Sequence, residues 1–496
     1  MRPAALAYAL AVTCLAARGS SAQAFPNSQP DAAKQWYLTQ DNAWSAWSTP
    51  PTLATVKVAV IDSGIDAGAP AFVGQIAGGR SFVGGSWRVD TDGHGTFVAG
   101  IIAANAFNGA GVAGVAFNAK LLIAKVLDSA GVIPPGAEAD AIRWAANEGA
   151  RVINLSLGGL RDPNDPELDG YSRSELEAVE YAYAKGAVIV AAVGNGTNAP
   201  SHPWPFADYP AALPNVLGVS ALNEDGSVPN FSNRDRVYVD LAAPGAGIFS
   251  TIPRNLEDSA DDPGCAGDPY SNCGPAEFQT GDGTSFAAPQ VTAAAALLLG
   301  VDPHLAPDQV DWILERSATD MTPANGCGDC RVGRDALTGW GRLDIARAVS
   351  FLRERVALPP NDILEPDDDA GNQARPLDNL PRTITSSEDY WDDASDVFAL
   401  TLHAGKELVA TLSSREHAAV TLRLWEPGTV RVQTAAPGSL AARSRPVGGE
   451  QQLSYRAIRG GVYYLEVLDG SPSRQRVVYH LSLSDRAMPP AAPAPA

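Results

Sequence analysis

The chain has 496 residues, a length that suits two or three domains. A hydrophobic share of 45% can build a large core, and a formal net charge of −20 argues against nucleic acid as a partner, since phosphate recognition needs a basic patch. Past the N-terminus no apolar run is long enough to span a bilayer, so no membrane attachment is expected once the leader is removed.

Residues 1–24 read as a signal peptide. Arg2 is the charged start, 4–17 is the apolar stretch, and Ala22-Gln23-Ala24 fits a small-residue cleavage site. The mature chain is expected to begin near Phe25 and to be exported, either outside the cell or into a periplasm. A leader with about 14 apolar residues is too short to anchor, and Thr13 and Leu15 around Cys14 disfavour a lipid link. Setting Cys14 aside leaves Cys265, Cys273, Cys327 and Cys330, an even number suited to disulfides in an exported chain. Local pairing of Cys265 with Cys273 and Cys327 with Cys330 is the expected connectivity, out of three. The Cys327-Gly-Asp-Cys330 spacing also suits a redox pair or half a zinc site, but no second such pair or His pair lies near it.

An aromatic lead-in with Trp36, Tyr37 and Trp44 comes next. Then 56–61 is a nearly continuous apolar run, as expected for a strand buried on both faces of a parallel sheet. Similar runs fall at 120–127, 152–157, 187–193 and 216–221. Helical segments alternate with them: 96–105, then 137–148 stopped by Gly149, then a helix to Lys185 opened by the capping box Ser172…Glu175 and stopped by Gly186. An apolar helix is expected over 290–299, with Pro289 in its first turn, and two more at 307–316 and 343–353. This alternation predicts an α/β domain with a parallel sheet flanked by helices, whose site lies at the carboxyl ends of the strands.

Residues 355–369 are rich in Pro and acids and read as a linker. Beyond them the hydrophobic period becomes two. Phe398, Leu400 and Leu402 alternate with Ala399 and Thr401, and the pattern recurs at Leu408, Val420, Tyr463 and Val477. A small antiparallel β-sandwich is expected over 370–486, with a disordered Pro/Ala tail at 487–496.

Four residues stand out for chemistry. Asp62 ends the first buried strand, where a carboxylate can orient a histidine and stabilise its cation. His94 lies between glycines in Asp92-Gly93-His94-Gly95-Thr96, just before an apolar helix. Ser285 stands on the turn Gly283-Thr284-Ser285-Phe286-Ala287-Ala288-Pro289, where a helix N-terminus favours an oxyanion. Asn195, in Val193-Gly194-Asn195-Gly196, could supply a second oxyanion donor. Each has a bland reading taken alone: turn cap, structural histidine, N-cap serine, turn asparagine. The set of four, in the order Asp, His, Ser, is far more specific.

The motifs IDSGID around Asp62, DGHGTFVAG around His94, VINLSLGG from Val152, AAVGNG around Asn195 and GTSFAAP around Ser285 resemble the signature blocks of the subtilisin family. YPAALPNVLGVSA and the FSN and APG segments extend the resemblance, which runs from about Trp36 to Phe351. It implies a secreted serine endopeptidase domain over 25–354. Ser285 would attack a peptide carbonyl, His94 would move the proton, Asp62 would hold His94, and the Ser285 N–H with Asn195 would hold the oxyanion. It also implies that Ser156, Leu157 and Gly158 pair with the substrate backbone. Ala192, Val193 and Gly194 would line the pocket for the residue before the cut; no charge is evident there, so an apolar or broad preference is expected. A protein or peptide substrate, a monomeric enzyme and chemistry that needs no cofactor are expected. Activity is expected to fall as pH drops through about 6 to 7, where an ordinary histidine protonates. A catalytically idle scaffold whose sandwich binds a surface is the alternative, and the complete set of four argues against it.

Three features depart from the family pattern. Only about ten residues separate the expected cleavage site from Gln35, too few for a folding propeptide. Gly68-Ala69-Pro70-Ala71 brings no acid where many members place a calcium ligand; Asn108 matches one ligand position, so structural calcium stays open and unassigned. Phe286 replaces the methionine usual after the serine. An acidic insert over 254–278, expected to be stapled by Cys265 and Cys273, either rims the cleft or is a tolerated surface loop. The C-terminal part more loosely resembles the bacterial pre-peptidase C-terminal domain through Glu365-Pro366-Asp367-Asp368, SDVFALTLHAG from Ser395 and VYYLEV from Val462.

Overall fold

The computed structural model describes residues 29–109, 111–128, 130–165, 167–254, 278–358, 370–371, 374–377, 379–388, 395–414, 420–432, 435–470 and 477–487. The stretch read as a signal peptide, Cys14, Cys265, Cys273, most of 254–278, most of the stretch read as a linker, and 488–496 of the stretch read as a tail lie outside these residues; residue 487 ends a strand.

Seven strands form the central sheet: β1 (Val56–Asp62), β2 (Ile76–Ser81), β3 (Ala119–Lys125), β4 (Val152–Leu155), β5 (Val188–Ala192), β6 (Leu217–Leu222) and β7 (Leu241–Pro244). Their order is β2-β3-β1-β4-β5-β6-β7, and every neighbouring pair is parallel. The continuous apolar runs follow from burial on both faces. Val58 and Val60 of β1 point into one core, and Ala59 and Ile61 point into the other. On β5, Val188 and Val190 divide from Ile189 and Ala191 in the same way. β2 and β7 were not expected: β2 is Gly-rich (Ile-Ala-Gly-Gly-Arg-Ser) and β7 is four residues long, so neither has a long apolar run.

The helices are α1 (Tyr37–Gln40), α2 (His94–Ala103), α3 (Ala137–Asn147), α4 (Arg173–Ala184), α5 (Thr284–Val301), α6 (Pro307–Ser317) and α7 (Ile345–Arg353). α2 and α5 pack in the first core, with α6 and α7 beyond; α3 and α4 cover the other face. At the start of α4 the Ser172 hydroxyl accepts from the Glu175 N–H, as expected of the capping box. Gly149 and Gly186, which follow the helix ends, have φ of 82° and 85°, a left-handed conformation that suits glycine. By length and composition α5 could cross a membrane, but 89% of it is buried inside this fold, which makes it a core helix. An antiparallel ribbon of β8 (Ile248–Thr251) and β9 (Phe278–Gly281) leads into it.

The C-terminal strands are β10 (Arg375–Leu377), β11 (Arg382–Glu388), β12 (Ser395–Leu402), β13 (Lys406–Ser414), β14 (Val420–Trp425), β15 (Leu440–Arg443), β16 (Arg445–Val447), β17 (Glu450–Arg456), β18 (Gly461–Asp469) and β19 (Val477–Ala487). They make two five-stranded sheets, β10-β12-β18-β14-β15 and β11-β19-β13-β17-β16. All pairings are antiparallel except β10 with β12. The alternating residues Phe398, Leu400, Leu402, Leu408, Tyr463 and Tyr479 meet in one core between the sheets, as the period of two predicts. Cys327 and Cys330 are disulfide-bonded.

Candidate active site

Asp62 is the last residue of β1, and His94 is the first of α2. The chain brings them together because α2 can lie very close to the turn after β1. A Cβ on Gly95 would overlap the Gly64 carbonyl oxygen and come within 3.1 Å of Asp62 Cβ. His94 Nδ1 then lies 2.9 and 3.0 Å from the two Asp62 carboxylate oxygens. Asp62 is 1% exposed and the His94 side chain 22%. Burial lowers the imidazole pKa, but the Asp62 charge and hydrogen bond outweigh it, with Asp92 and Asp90 adding to the effect. The result is a rise from 6.5 to about 9. The sequence expectation of titration near 6 to 7 is therefore corrected upward: it assumed an ordinary histidine, and Asp62 stabilises the cation.

Asp90 organises this corner, and sequence reasoning missed it. Its Oδ1 accepts from the Ser63 hydroxyl at 2.8 Å and the Gly93 N–H at 2.8 Å, and its Oδ2 from the Thr96 N–H at 2.9 Å. The Ser63 hydroxyl in turn accepts from the Gly95 N–H at 2.8 Å. A carboxylate thus holds the first N–H groups of α2, the groups a helix leaves without internal partners.

Ser285 is the second residue of α5, which starts six residues earlier than the sequence suggested. Pro289 consequently falls in the second turn. A proline there has no N–H for the carbonyl four residues back, which is that of Ser285. The Ser156 hydroxyl supplies the missing donor, at 2.7 Å from the Ser285 oxygen, and the Ser285 hydroxyl donates to the Ser156 carbonyl at 3.1 Å. Two crossed hydrogen bonds therefore tie the loop after β4 to the start of α5. Phe286, 1% exposed, packs against Phe97 and lies 5.5 Å between ring centroids from His94.

Asn195 follows β5. Its side-chain oxygen accepts from the Thr284 N–H and the Thr284 hydroxyl, each at 2.9 Å. Only the oxygen can accept from a backbone N–H, so the amide orientation is fixed and the NH2 faces away from Thr284. Ser285 and Asn195 border a cavity of about 310 Å³, which Leu157, Gly158, Ala192 and Gly194 also line. Val193 instead turns its side chain into the core, and Ser156 serves Ser285 as described.

The cavity also holds a group the sequence reading did not place there, Asp208. Burial raises its carboxyl from 3.8 to about 7, against the lowering effects of the Arg161 backbone N–H and the Asn233 side chain. Thirteen residues separate it from Asn195, and no local pattern marks it.

The calcium-ligand positions discussed above bring no carboxylate together. Asn108 Oδ1 accepts from Gln29 Nε2 at 3.0 Å, its Nδ2 donates to the Pro70 carbonyl at 3.1 Å, and Asp66 pairs with Arg254 at 2.8 Å. These residues do not form a calcium cage, and among the described residues no group of three or more His, Cys, Asp or Glu is arranged to hold a metal.

A helix-flanked sheet of seven parallel strands, with Asp62 at the end of β1 paired to His94 at the start of α2 and Ser285 near the start of α5, defines a subtilisin-like α/β fold. Comparison with known proteins agrees: residues 54–341 match the Subtilase family, and the chain belongs to it. It is 37% identical over 269 residues to subtilisin DY of Bacillus licheniformis, covering 54% of this chain and 85% of that protein. It is 34% identical over 276 residues to thermitase of Thermoactinomyces vulgaris, covering 55% and 85%. Among solved structures, proteases from Pseudoalteromonas arctica superpose with a TM-score of 0.51 at 28% identity, covering 66% of this chain and 98% of theirs. The chain is accordingly a serine-type endopeptidase of the subtilisin family, whose members act on proteins and need no cofactor for catalysis.

Proposed function

We propose that this chain is a secreted, monomeric endopeptidase that cuts peptide bonds through Asp62, His94 and Ser285 and an acyl-enzyme intermediate. The observation that carries the reading is the Asp62–His94 pair, with both carboxylate oxygens on Nδ1. That contact places the Nδ1 proton toward Asp62 and leaves Nε2 as the base. Ser285 gives its proton to His94 as its oxygen attacks the carbonyl, and His94 returns the proton to the leaving amine. The oxyanion is held by the Ser285 N–H, in the first turn of α5 and without a helical acceptor, and by the Asn195 NH2. Ser156, Leu157 and Gly158 border the bound chain on one side, and Ala192 and Gly194 on the other. The leader at 1–24 supports export, and the 355–369 linker with the 370–486 sandwich is read as an accessory unit.

The test is hydrolysis of an unfolded protein such as casein by the full chain. Ser285→Ala is expected to abolish it while leaving the melting temperature within a few degrees. Undiminished cleavage by that variant would refute the assignment.

A further inference from the structure

The pocket beside Ser285 is lined, among the described residues, by one carboxyl group, that of Asp208, and this inference rests on the endopeptidase reading above. Asp208 stands between the two walls of the cleft. A Cβ on Gly158, in one wall, would lie 3.6 Å from Asp208 Cβ; a Cβ on Gly194, in the other, would collide with its Oδ2. Glycine at both positions therefore leaves the carboxyl room between the walls. The backbone also fixes it there: the Asp208 N–H donates to the Val193 carbonyl at 2.9 Å, and the Tyr209 N–H donates to the Gly159 carbonyl at 2.9 Å. The segment that carries Asp208 is thus tied to both walls.

The carboxyl has no cation of its own. Among the described residues no Lys or Arg side chain lies within ion-pairing distance of it; the nearby Arg161 side chain is held by Asp235 at 3.0 Å. Asp208 Oδ1 is buried without a hydrogen-bond partner. A buried carboxylate that lacks a countercharge is costly, and a cation delivered to it recovers that cost. A guanidinium can do so with two parallel hydrogen bonds, and an ammonium as a point charge.

The geometry points to a pocket that selects arginine or lysine as the residue before the cut, with Asp208 as the group that recognises it. An apolar side chain would leave Asp208 Oδ1 buried without a partner. Discrimination against it then comes from the polar group left unsatisfied, the stronger of the two ways a pocket rejects a wrong substrate. The local sequence alone suggested an apolar or broad preference, and the experiment below separates the two.

The experiment uses the full chain and fluorogenic tetrapeptides that differ only in the residue before the cut: Arg, Lys, Leu or Phe. The wild type is expected to favour Arg and Lys, and Asp208→Asn to lower the Arg-to-Leu ratio of kcat/KM by about 30-fold or more. A second measurement needs no variant: benzamidine, a small guanidinium-like cation, should competitively inhibit the wild type. Preference for Leu or Phe, with no inhibition by benzamidine, would overturn the inference and leave the endopeptidase intact. An Arg preference unchanged in Asp208→Asn would overturn the role of Asp208. Failure to cleave any peptide would overturn the endopeptidase reading and this inference with it.

Discussion

Replacing Asp62 by Asn keeps the shape of the site and removes the charge that holds His94. A rise in the histidine pKa from 6.5 to about 9 corresponds to about 3 kcal/mol in favour of the imidazolium, at about 1.4 kcal/mol per pKa unit. Burial alone acts in the opposite direction, so the raising effects of Asp62, Asp92 and Asp90 together exceed this net figure, with Asp62 the largest of them. In Asp62→Asn the desolvation remains and the largest attraction is lost, leaving only the smaller effects of Asp92 and Asp90, so the His94 pKa is expected to fall. The acid limb of kcat/KM, which reports the free enzyme, should move with it from near 9 to lower pH. Turnover should fall as well, by about 10,000-fold, because an amide can hold the wrong tautomer; that figure comes from the same change in a serine protease of unrelated fold. The stability effect has the opposite sign. A group whose folded pKa is raised stabilises the fold fully below its unfolded value, and loses that contribution as pH rises through the folded one. His94 therefore contributes most below pH 6.5 and progressively less up to about 9, while activity grows over the same window. NMR titration of labelled histidine, assigned by a His94→Ala control, reads the pKa directly in both proteins. A wild-type value at or below 6.5, or one that Asp62→Asn leaves in place, would refute the electrostatic argument.

Ser156→Ala removes the donor to the Ser285 carbonyl and should cost about 1–3 kcal/mol in chemical denaturation. Adding Pro289→Ala restores an N–H within the helix, so the double variant should be more stable than Ser156→Ala alone; additive losses would contradict the crossed-bond account. Gly95→Ala should destabilise by about 1–3 kcal/mol and depress kcat further than stability alone explains, because the new methyl pushes α2 away from Gly64 and Asp62; a variant with wild-type turnover would show that the close approach is dispensable. Phe286 has no thioether to oxidise, so activity should survive peroxide, whereas Phe286→Met should be inactivated by it. Rapid peroxide loss in the wild type would point to another oxidisable group.

The features legible in the sequence were those carried by short, continuous stretches. Apolar runs such as 56–61 declare a doubly covered strand, and the period of two after Ser395 declares a sandwich face. Asp62, His94, Asn195 and Ser285 each sit where an element begins or ends, so the local motif already fixes their exposure to the cleft. What stayed hidden depends on pairing across the chain. Asp90 gains its meaning from Ser63, 27 residues earlier, and from the N–H groups of α2. The Ser156–Ser285 exchange spans 129 residues and arises because Pro289 lies deeper in α5 than the sequence indicated. Asp208 reaches the cavity only because β5 and the loop after β4 converge on it from either side. β2 was missed for a different reason: its glycines and Arg80 carry no hydrophobic signal, and its place comes from the edge beside β3.

Reaction of the full chain with a serine-directed fluorophosphonate, followed by peptide mass spectrometry, tests the central claim most directly. The phosphonyl centre is tetrahedral and places a polarised P–O oxygen where the oxyanion forms, and fluoride leaves as the serine oxygen bonds to phosphorus, so labelling needs nucleophile, base and oxyanion donors to act together. A single adduct on Ser285 is the predicted result, lost in the unfolded chain and strongly slowed in His94→Ala. No adduct on Ser285 in folded protein, or equal labelling of the unfolded chain, would contradict the account.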